Sequence, residues 1–211
     1  SAVIKGSKTL EGRGMEADEF SFSLEAADNA TKAALADDSV YFVQDGTDAD
    51  KALTSLEANA GAADESEAAA FTFGRQKTES ADAASVTFNK VGTYRFRVKE
   101  NVPADAKDSV KNGITYDENI STVTVTVTDK DDDGNKTGRL KALVSYENSS
   151  NDETGLAKFV NRYKESGSYD ITGVKTIEGR DFAEGDSFTF TITPDDSAPY
   201  PVDENGEEVE E

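Results

Sequence analysis

The stretch TYRFRVKE, residues 93–100, alternates apolar and polar side chains. Tyr94, Phe96 and Val98 fall on one side of an extended chain, and two arginines and a lysine fall on the other. This alternation is the mark of a β-strand with one buried face and one solvated face. The stretch therefore predicts a strand that packs one side against an apolar core.

The same alternation recurs in other parts of the chain. It is longest in STVTVTVT at residues 121–128, where valines alternate with threonines. Further apolar runs that predict strands lie at residues 19–25, 40–43, 71–73, 85–88 and 139–146. Turn signals such as Asn112-Gly113 and Asp133-Gly134 separate these runs. Short strands spaced in this way predict an all-β sandwich.

One region interrupts the strand pattern. Residues 26–70 are rich in Ala, Asp and Glu, and we interpret them as an insertion between strands. Within it, DADKALTSLEANAG at residues 48–61 begins with a capping Asp, carries Leu53 and Leu56 and ends in Gly, which predicts a short helix. Residues 62–70 have weak structural signals and are expected to form a loop. The expected fold class is therefore an all-β sandwich with a helix-containing insertion.

Composition excludes several classes of function. The 43 acidic and 22 basic residues give a formal net charge of −21, which disfavours binding to nucleic acid or to an anionic membrane surface. The chain has no Cys and no His, so disulfides, thiolate chemistry and the commonest general base are absent. We expect no cofactor and no metal. The aspartates at 129, 131 and 133 resemble half of a calcium loop, but its twelfth position is Leu140 rather than Glu.

The start of the chain is repeated near its end. KTLEGR at residues 8–13 recurs as KTIEGR at residues 175–180, and each copy is followed by a pair of alternating phenylalanines. A second module is therefore expected to start near Tyr169. We divide the chain into a domain at residues 1–165 and a linker with a truncated second repeat at residues 166–211. About 40 residues is below the size at which a domain usually folds alone.

Three polar residues share strand parity with buried apolar residues. Lys8 follows the parity of Ile4 and Leu10, and Glu100 follows that of TYRFRVKE. Asn161 follows the parity of its neighbour Phe159. Two interpretations are open at this point. The strands end there and the polar groups reach water, or the three groups form a buried cluster, which must be paired because an isolated buried charge is costly.

A longer succession of motifs carries a resemblance to a known family. In order, these motifs are KTLEGR, FSFSL, GTYRFRVKE, GITYDENISTVTVTVTD, GRLKALVSYE and AKFVNRY, between residue 3 and residue 164. The succession resembles the repeat domain of Gram-positive sortase-assembled pilins and related surface adhesins. The resemblance implies an immunoglobulin-like sandwich of the collagen-adhesin B type.

The resemblance also implies a chemical role for the three polar residues. Lys8 and Asn161 would join in a spontaneous intramolecular isopeptide bond, and Glu100 would assist as a proton shuttle. A neutral Glu100 is further expected to hydrogen-bond the carbonyl of Asn161 and make its carbon more electrophilic. Lys175 is the matching lysine of the second repeat, and it is expected to stay a free amine because its partners would lie beyond residue 211.

These observations predict a structural stalk or pilin-type module on a bacterial cell surface, outside the cell and anchored to the wall. The signal peptide and the anchor are expected to lie outside this sequence. Expected partners are neighbouring repeat modules and sortase-linked pilin subunits, with no nucleic acid and no membrane contact. The alternative is an adhesin module that binds a host glycan or matrix protein through residues 26–70. We expect no enzyme activity beyond a single self-reaction.

Overall fold

The structure is a computed structural model that describes residues 1–44, 53–131, 133–147, 155–164 and 171–193. Contacts between residues divide the chain into two units, Ser1–Gly167 and Ser168–Glu211. The division into a domain at residues 1–165 and a linker with a truncated second repeat at residues 166–211 stays a prediction.

The first unit consists of strands and one helix in its described part. In chain order these are β1 (Lys5–Glu11), β2 (Ser21–Ala26), α1 (Asn29–Ala36), β3 (Val40–Phe42), β4 (Ser55–Asn59), β5 (Ala68–Thr72), β6 (Val86–Phe88), β7 (Gly92–Glu100), β8 (Val110–Lys111), β9 (Ile114–Thr115), β10 (Ile120–Lys130), β11 (Lys136–Glu147) and β12 (Ala157–Tyr163).

The strands form two five-stranded sheets and a small third one. The first sheet has the order β5-β1-β12-β9-β8, the second has the order β11-β10-β7-β2-β4, and β3 pairs with β6. β1 and β12, which are the first and last strands, lie parallel, and Leu10 is opposite Asn161. Neighbouring strands of the second sheet are antiparallel. The architecture is an immunoglobulin-like β-sandwich, as predicted.

The core is formed by the inward faces of the two large sheets. Tyr94, Phe96 and Val98 on β7 are buried, so the predicted inward face of TYRFRVKE is confirmed. An aromatic stack crosses the core: the ring of Phe71 lies parallel to that of Phe22, with 4.0 Å between centroids. The same ring fills the space above Gly6, where a Cβ atom would lie 2.1 Å from it. Gly6 on β1 therefore leaves room for the ring of Phe71, its partner on the neighbouring strand β5 of the same sheet.

The helix predicted at residues 48–61 is wrong for its described part, because Ser55–Asn59 forms β4. Residues 48–52 lie outside the described residues. Leu56 is buried opposite Leu24 of β2, and the chain here buries alternate residues. The unpaired edge of β2 offers backbone hydrogen bonds that a helix at this place would leave unmade.

The helix of this region lies earlier in the chain, at Asn29–Ala36. Asp28 caps it by accepting a hydrogen bond from the main-chain N–H of Thr31 at 2.7 Å. The hydroxyl of Thr31 in turn accepts a hydrogen bond from the main-chain N–H of Arg95 at 2.9 Å, which attaches α1 to β7. Residues 26–70 thus contain a helix, and they also supply β4 and the start of β5 to the two large sheets.

The second unit repeats a local turn of the first. Arg180 donates two hydrogen bonds to Asp186, at 2.7 and 2.9 Å. Arg13 contacts Glu19 in the same bidentate way, and each carboxylate also accepts a main-chain N–H from three residues before it. The repeat seen in the sequence therefore extends to local structure. No strand or helix is assigned between residues 171 and 193.

Candidate functional site

Three polar side chains meet inside the sandwich. Lys8 on β1 and Asn161 on β12 have no exposed surface, and Glu100 on β7 is 5% exposed. The first two belong to neighbouring strands of one sheet, and Glu100 reaches them from the opposite sheet. Of the two interpretations left open by the sequence, the structure shows the buried cluster.

One carboxyl group contacts both other members of the cluster. The amine of Lys8 donates a hydrogen bond to Oε2 of Glu100 at 2.9 Å. The amide Nδ2 of Asn161 donates to the other oxygen, Oε1, at 2.8 Å. Glu100 therefore holds the amine and the carboxamide on its two oxygens, in a position to exchange a proton with either nitrogen.

The carbonyl of Asn161 has a different partner from the predicted one. The sequence predicts that Glu100 hydrogen-bonds this carbonyl, but Oδ1 accepts the main-chain N–H of Asp117 at 2.7 Å. This N–H can only donate, so it fixes the amide with Oδ1 towards Asp117 and the NH₂ group towards Glu100. Asp117 is a residue of the site that sequence reasoning missed.

The side chain of Asp117 binds the surrounding backbone. Its Oδ2 accepts the main-chain N–H of Val160 at 2.8 Å, and its Oδ1 accepts that of Asn119 at 2.9 Å. The second contact closes a local turn in which an Asp side chain binds the main-chain N–H two residues further along the chain. The sequence DEN at 117–119 carries that signal, but nothing in it indicates a contact with β12.

The walls around the cluster are aromatic. The amine of Lys8 lies 4.8 Å from the centre of the Phe20 ring, and Tyr116 packs edge-on against that ring. Phe22 lies directly opposite Glu100 on the neighbouring strand, and the ring of Phe159 packs against that of Phe22. These rings surround the polar groups with apolar material and strengthen every electrostatic interaction between them.

Burial shifts both titrating groups towards their neutral forms. Loss of hydration lowers the pKa of Lys8, and the nearby carboxylate of Glu100 only partly opposes this. Loss of hydration likewise raises the pKa of Glu100, opposed in part by the charge of Lys8. A neutral amine beside a neutral carboxylic acid is the state that these directions favour. A neutral amine is also the form of Lys8 that can act as a nucleophile.

Lys175, the matching lysine of the second repeat, has different surroundings. It is exposed, its amine donates to the main-chain oxygen of Thr176 at 3.0 Å, and it lies 5.0 Å from the centre of the Phe188 ring. The structure therefore brings together Lys8, Glu100 and Asn161, while Lys175 is an exposed residue of the second unit.

Neither a metal site nor a membrane-spanning helix is found among the described residues. They contain no group of three or more His, Cys, Asp or Glu side chains placed to hold a metal ion. None of the helices in that part of the chain has the length and apolar character needed to cross a membrane.

Comparison with known proteins gives one family match. The family model described as FctA, a Spy0128-like isopeptide containing domain, matches residues 4–164. No curated protein matches.

Solved structures that resemble the chain include streptococcal pilins. The major pilin protein (T-13) from Streptococcus pyogenes has 18% identity and a TM-score of 0.44, over 78% of this chain and 52% of that one. Another major pilin structure from Streptococcus pyogenes has 17% identity and a TM-score of 0.43, over 77% of this chain and 50% of that one. The chain thus spans about half the length of these pilins.

Proposed function

The chain belongs to the family of Spy0128-like isopeptide containing domains, and from this premise we propose that residues 1–165 form a load-bearing module of a bacterial pilus or surface stalk. Its amine at Lys8 and its carboxamide at Asn161 join in an amide bond. The observation that carries the proposal is the single buried carboxyl of Glu100, which holds both reacting groups on its two oxygens.

The proposed reaction needs only the three side chains of the cluster. The lone pair of the neutral Lys8 amine attacks Cγ of Asn161, and the carbonyl π-pair moves onto Oδ1. A proton passes from the attacking nitrogen through Glu100 to Nδ2 of Asn161. The Cγ–Nδ2 bond then breaks, its electron pair leaves with ammonia, and the carbonyl reforms. One amine and one primary amide become one secondary amide and one ammonia, and Glu100 recovers its initial state.

The fold supplies what an enzyme would otherwise supply. The two reacting groups lie on neighbouring parallel strands, so folding brings them together and removes the entropic cost of a bimolecular encounter. The reaction occurs once per chain. It needs no cofactor and no oxidant, since an amide forms with the release of ammonia.

The strand arrangement supports a mechanical purpose. The chain enters the module at β1 and leaves it after β12, and these parallel strands are neighbours. A pull on the two ends therefore loads the β1–β12 hydrogen bonds in shear. An amide between Lys8 and Asn161 would carry that tension from one strand to the other and leave residues 9–160 outside the force path.

Cell-surface location and partners follow from this role as parts of the proposal. A stalk module under tension is expected outside the cell, in series with further repeats and with other pilin subunits, and the second repeat starting near Tyr169 supports such an array. Residues 26–70 supply strands to both sheets, and no specific observation favours a host ligand for them.

Intact-protein mass spectrometry tests the proposal. The purified protein is expected to weigh one ammonia less than its sequence mass. Lys8→Met and Glu100→Gln should each have the full sequence mass. Lys5→Met is the matched control, because Lys5 is an exposed lysine on the same strand, and it should still lose ammonia. A full sequence mass for the unsubstituted protein would overturn the proposal.

A further inference from the structure

We propose that the main-chain N–H of Asp117 is a catalytic group of the crosslinking reaction, where it binds the negative oxygen of the tetrahedral intermediate, and that the Asp117 carboxylate positions this N–H. The inference rests on the proposed function and adds a second functional element to it, separate from Glu100.

The geometry of the Asn161 carbonyl is the first step. Its Oδ1 accepts the Asp117 N–H at 2.7 Å, within the range of a strong hydrogen bond. When the Lys8 nitrogen adds to Cγ, the carbonyl π-pair moves onto this oxygen. The N–H is therefore aimed at the atom on which negative charge develops, and it is held there before reaction.

The division of contacts around the amide is the second step. Glu100 accepts from Nδ2, so the acid lies on the nitrogen that must leave as ammonia. The carbonyl oxygen is left to another donor, and Asp117 provides one. Two different groups thus serve the two atoms of the carboxamide: Glu100 protonates the leaving nitrogen, and the Asp117 N–H stabilises the oxygen.

The side chain of Asp117 explains why its own N–H is held in place. Its carboxylate accepts the N–H of Val160, the residue directly before Asn161, and that of Asn119 two positions along its own loop. The first contact attaches the 116–119 loop to β12 directly beside Asn161, and the second fixes the turn of the loop itself. The carboxylate is thus a positioning group, and it acts through the backbone.

The sharpest test removes the N–H and leaves the side chain in place. The α-hydroxy analogue of Asp at position 117 replaces the amide by an ester, and the same replacement at Glu118 is the matched control in the same loop. Chains are made by cell-free synthesis, quenched in acid denaturant at timed intervals, and analysed by intact mass for ammonia loss. Loss of one oxyanion donor is expected to slow the reaction roughly 100- to 1,000-fold, and the control should react at the unsubstituted rate.

The positioning role has its own readout. Asp117→Ala removes both acceptor oxygens, whereas Asp117→Asn keeps one, so the rate of Asp117→Asn should fall between those of Asp117→Ala and the unsubstituted protein. Equal rates for the two substitutions would overturn the positioning role. Reaction of the 117 ester within about twofold of the unsubstituted rate would overturn the catalytic role.

A second measurement does not depend on the reaction. In Lys8→Met the carboxamide of Asn161 is retained, and NMR can detect scalar coupling through the hydrogen bond from the Asp117 nitrogen to Cγ of Asn161. Its presence supports the inference, and its absence in a folded sample overturns it. Failure of the unsubstituted protein to lose ammonia would overturn the crosslink itself, so the two failures are distinguishable.

Discussion

The proposed crosslink should contribute strongly to thermal stability, and Lys8→Met measures this contribution. The substitution keeps an unbranched side chain of similar length in the core, and it removes the reacting amine. A bond between positions 8 and 161 closes a loop of 161 − 8 = 153 residue steps. In the chain-entropy treatment a closed loop of this size stabilises the folded state by about 5 kcal/mol.

The melting temperature converts this free energy into an observable shift. For a domain of 150–250 residues, 1 kcal/mol corresponds to about 2–4 °C, so Lys8→Met should melt roughly 10–20 °C below the unsubstituted protein. Differential scanning calorimetry at matched concentration and pH measures the shift. Lys5→Met, on the exposed face of the same strand, should stay within about 0.5 kcal/mol of the unsubstituted protein.

The reasoning would be refuted by one combination of results. If the unsubstituted protein has lost ammonia and Lys8→Met still melts within a few degrees of it, the bond forms without stabilising the fold. The closed loop would then not constrain the unfolded chain in the way the entropy argument requires.

Three further outcomes follow from the structure. The rate of ammonia loss should follow a bell-shaped pH profile. It should rise as Lys8, whose pKa is lowered, loses its proton, and fall as Glu100, whose pKa is raised, loses its proton. A rate that keeps rising into alkali would contradict this. Gly6→Ala should destabilise the module by about 1–3 kcal/mol in denaturant unfolding, because its Cβ would overlap the Phe71 ring, and an unchanged midpoint would contradict the close packing. An amine-specific label should modify exposed Lys175 and leave Lys8 unmodified in the folded protein, whereas a labelled Lys8 would show a free, accessible amine.

Strand parity alone predicts the inward positions of the cluster. Lys8, Glu100 and Asn161 each continue a run of alternating apolar residues, so their side chains face the core if the strands extend that far, and in the structure they do. Parity does not say which strands are neighbours. The parallel pairing of β1 with β12 brings together residues that are far apart in sequence, and no local signal encodes it.

The predictions that were wrong or missing also concern tertiary contacts that the local sequence does not encode. DADKALTSLEANAG has the caps of a helix, yet its residues 55–59 satisfy the free edge of β2, so tertiary pairing overrides local propensity. The N-cap at Asp28 is a usable local signal for α1. The contact between Asp117 and Asn161 has no such signal, because it joins a main-chain N–H to a side chain 44 positions away.

The central claim is a covalent bond between two named atoms, and peptide mapping tests it most directly. Trypsin digestion of the denatured protein is expected to yield one branched peptide, in which GSKTLEGR (residues 6–13) is joined through Lys8 to Asn161 of FVNR (residues 159–162). Its mass should equal the sum of the two peptides less one ammonia, and fragmentation should place the link on those two residues. Cleavage after Lys8, together with a free FVNR peptide of full mass, would contradict the account.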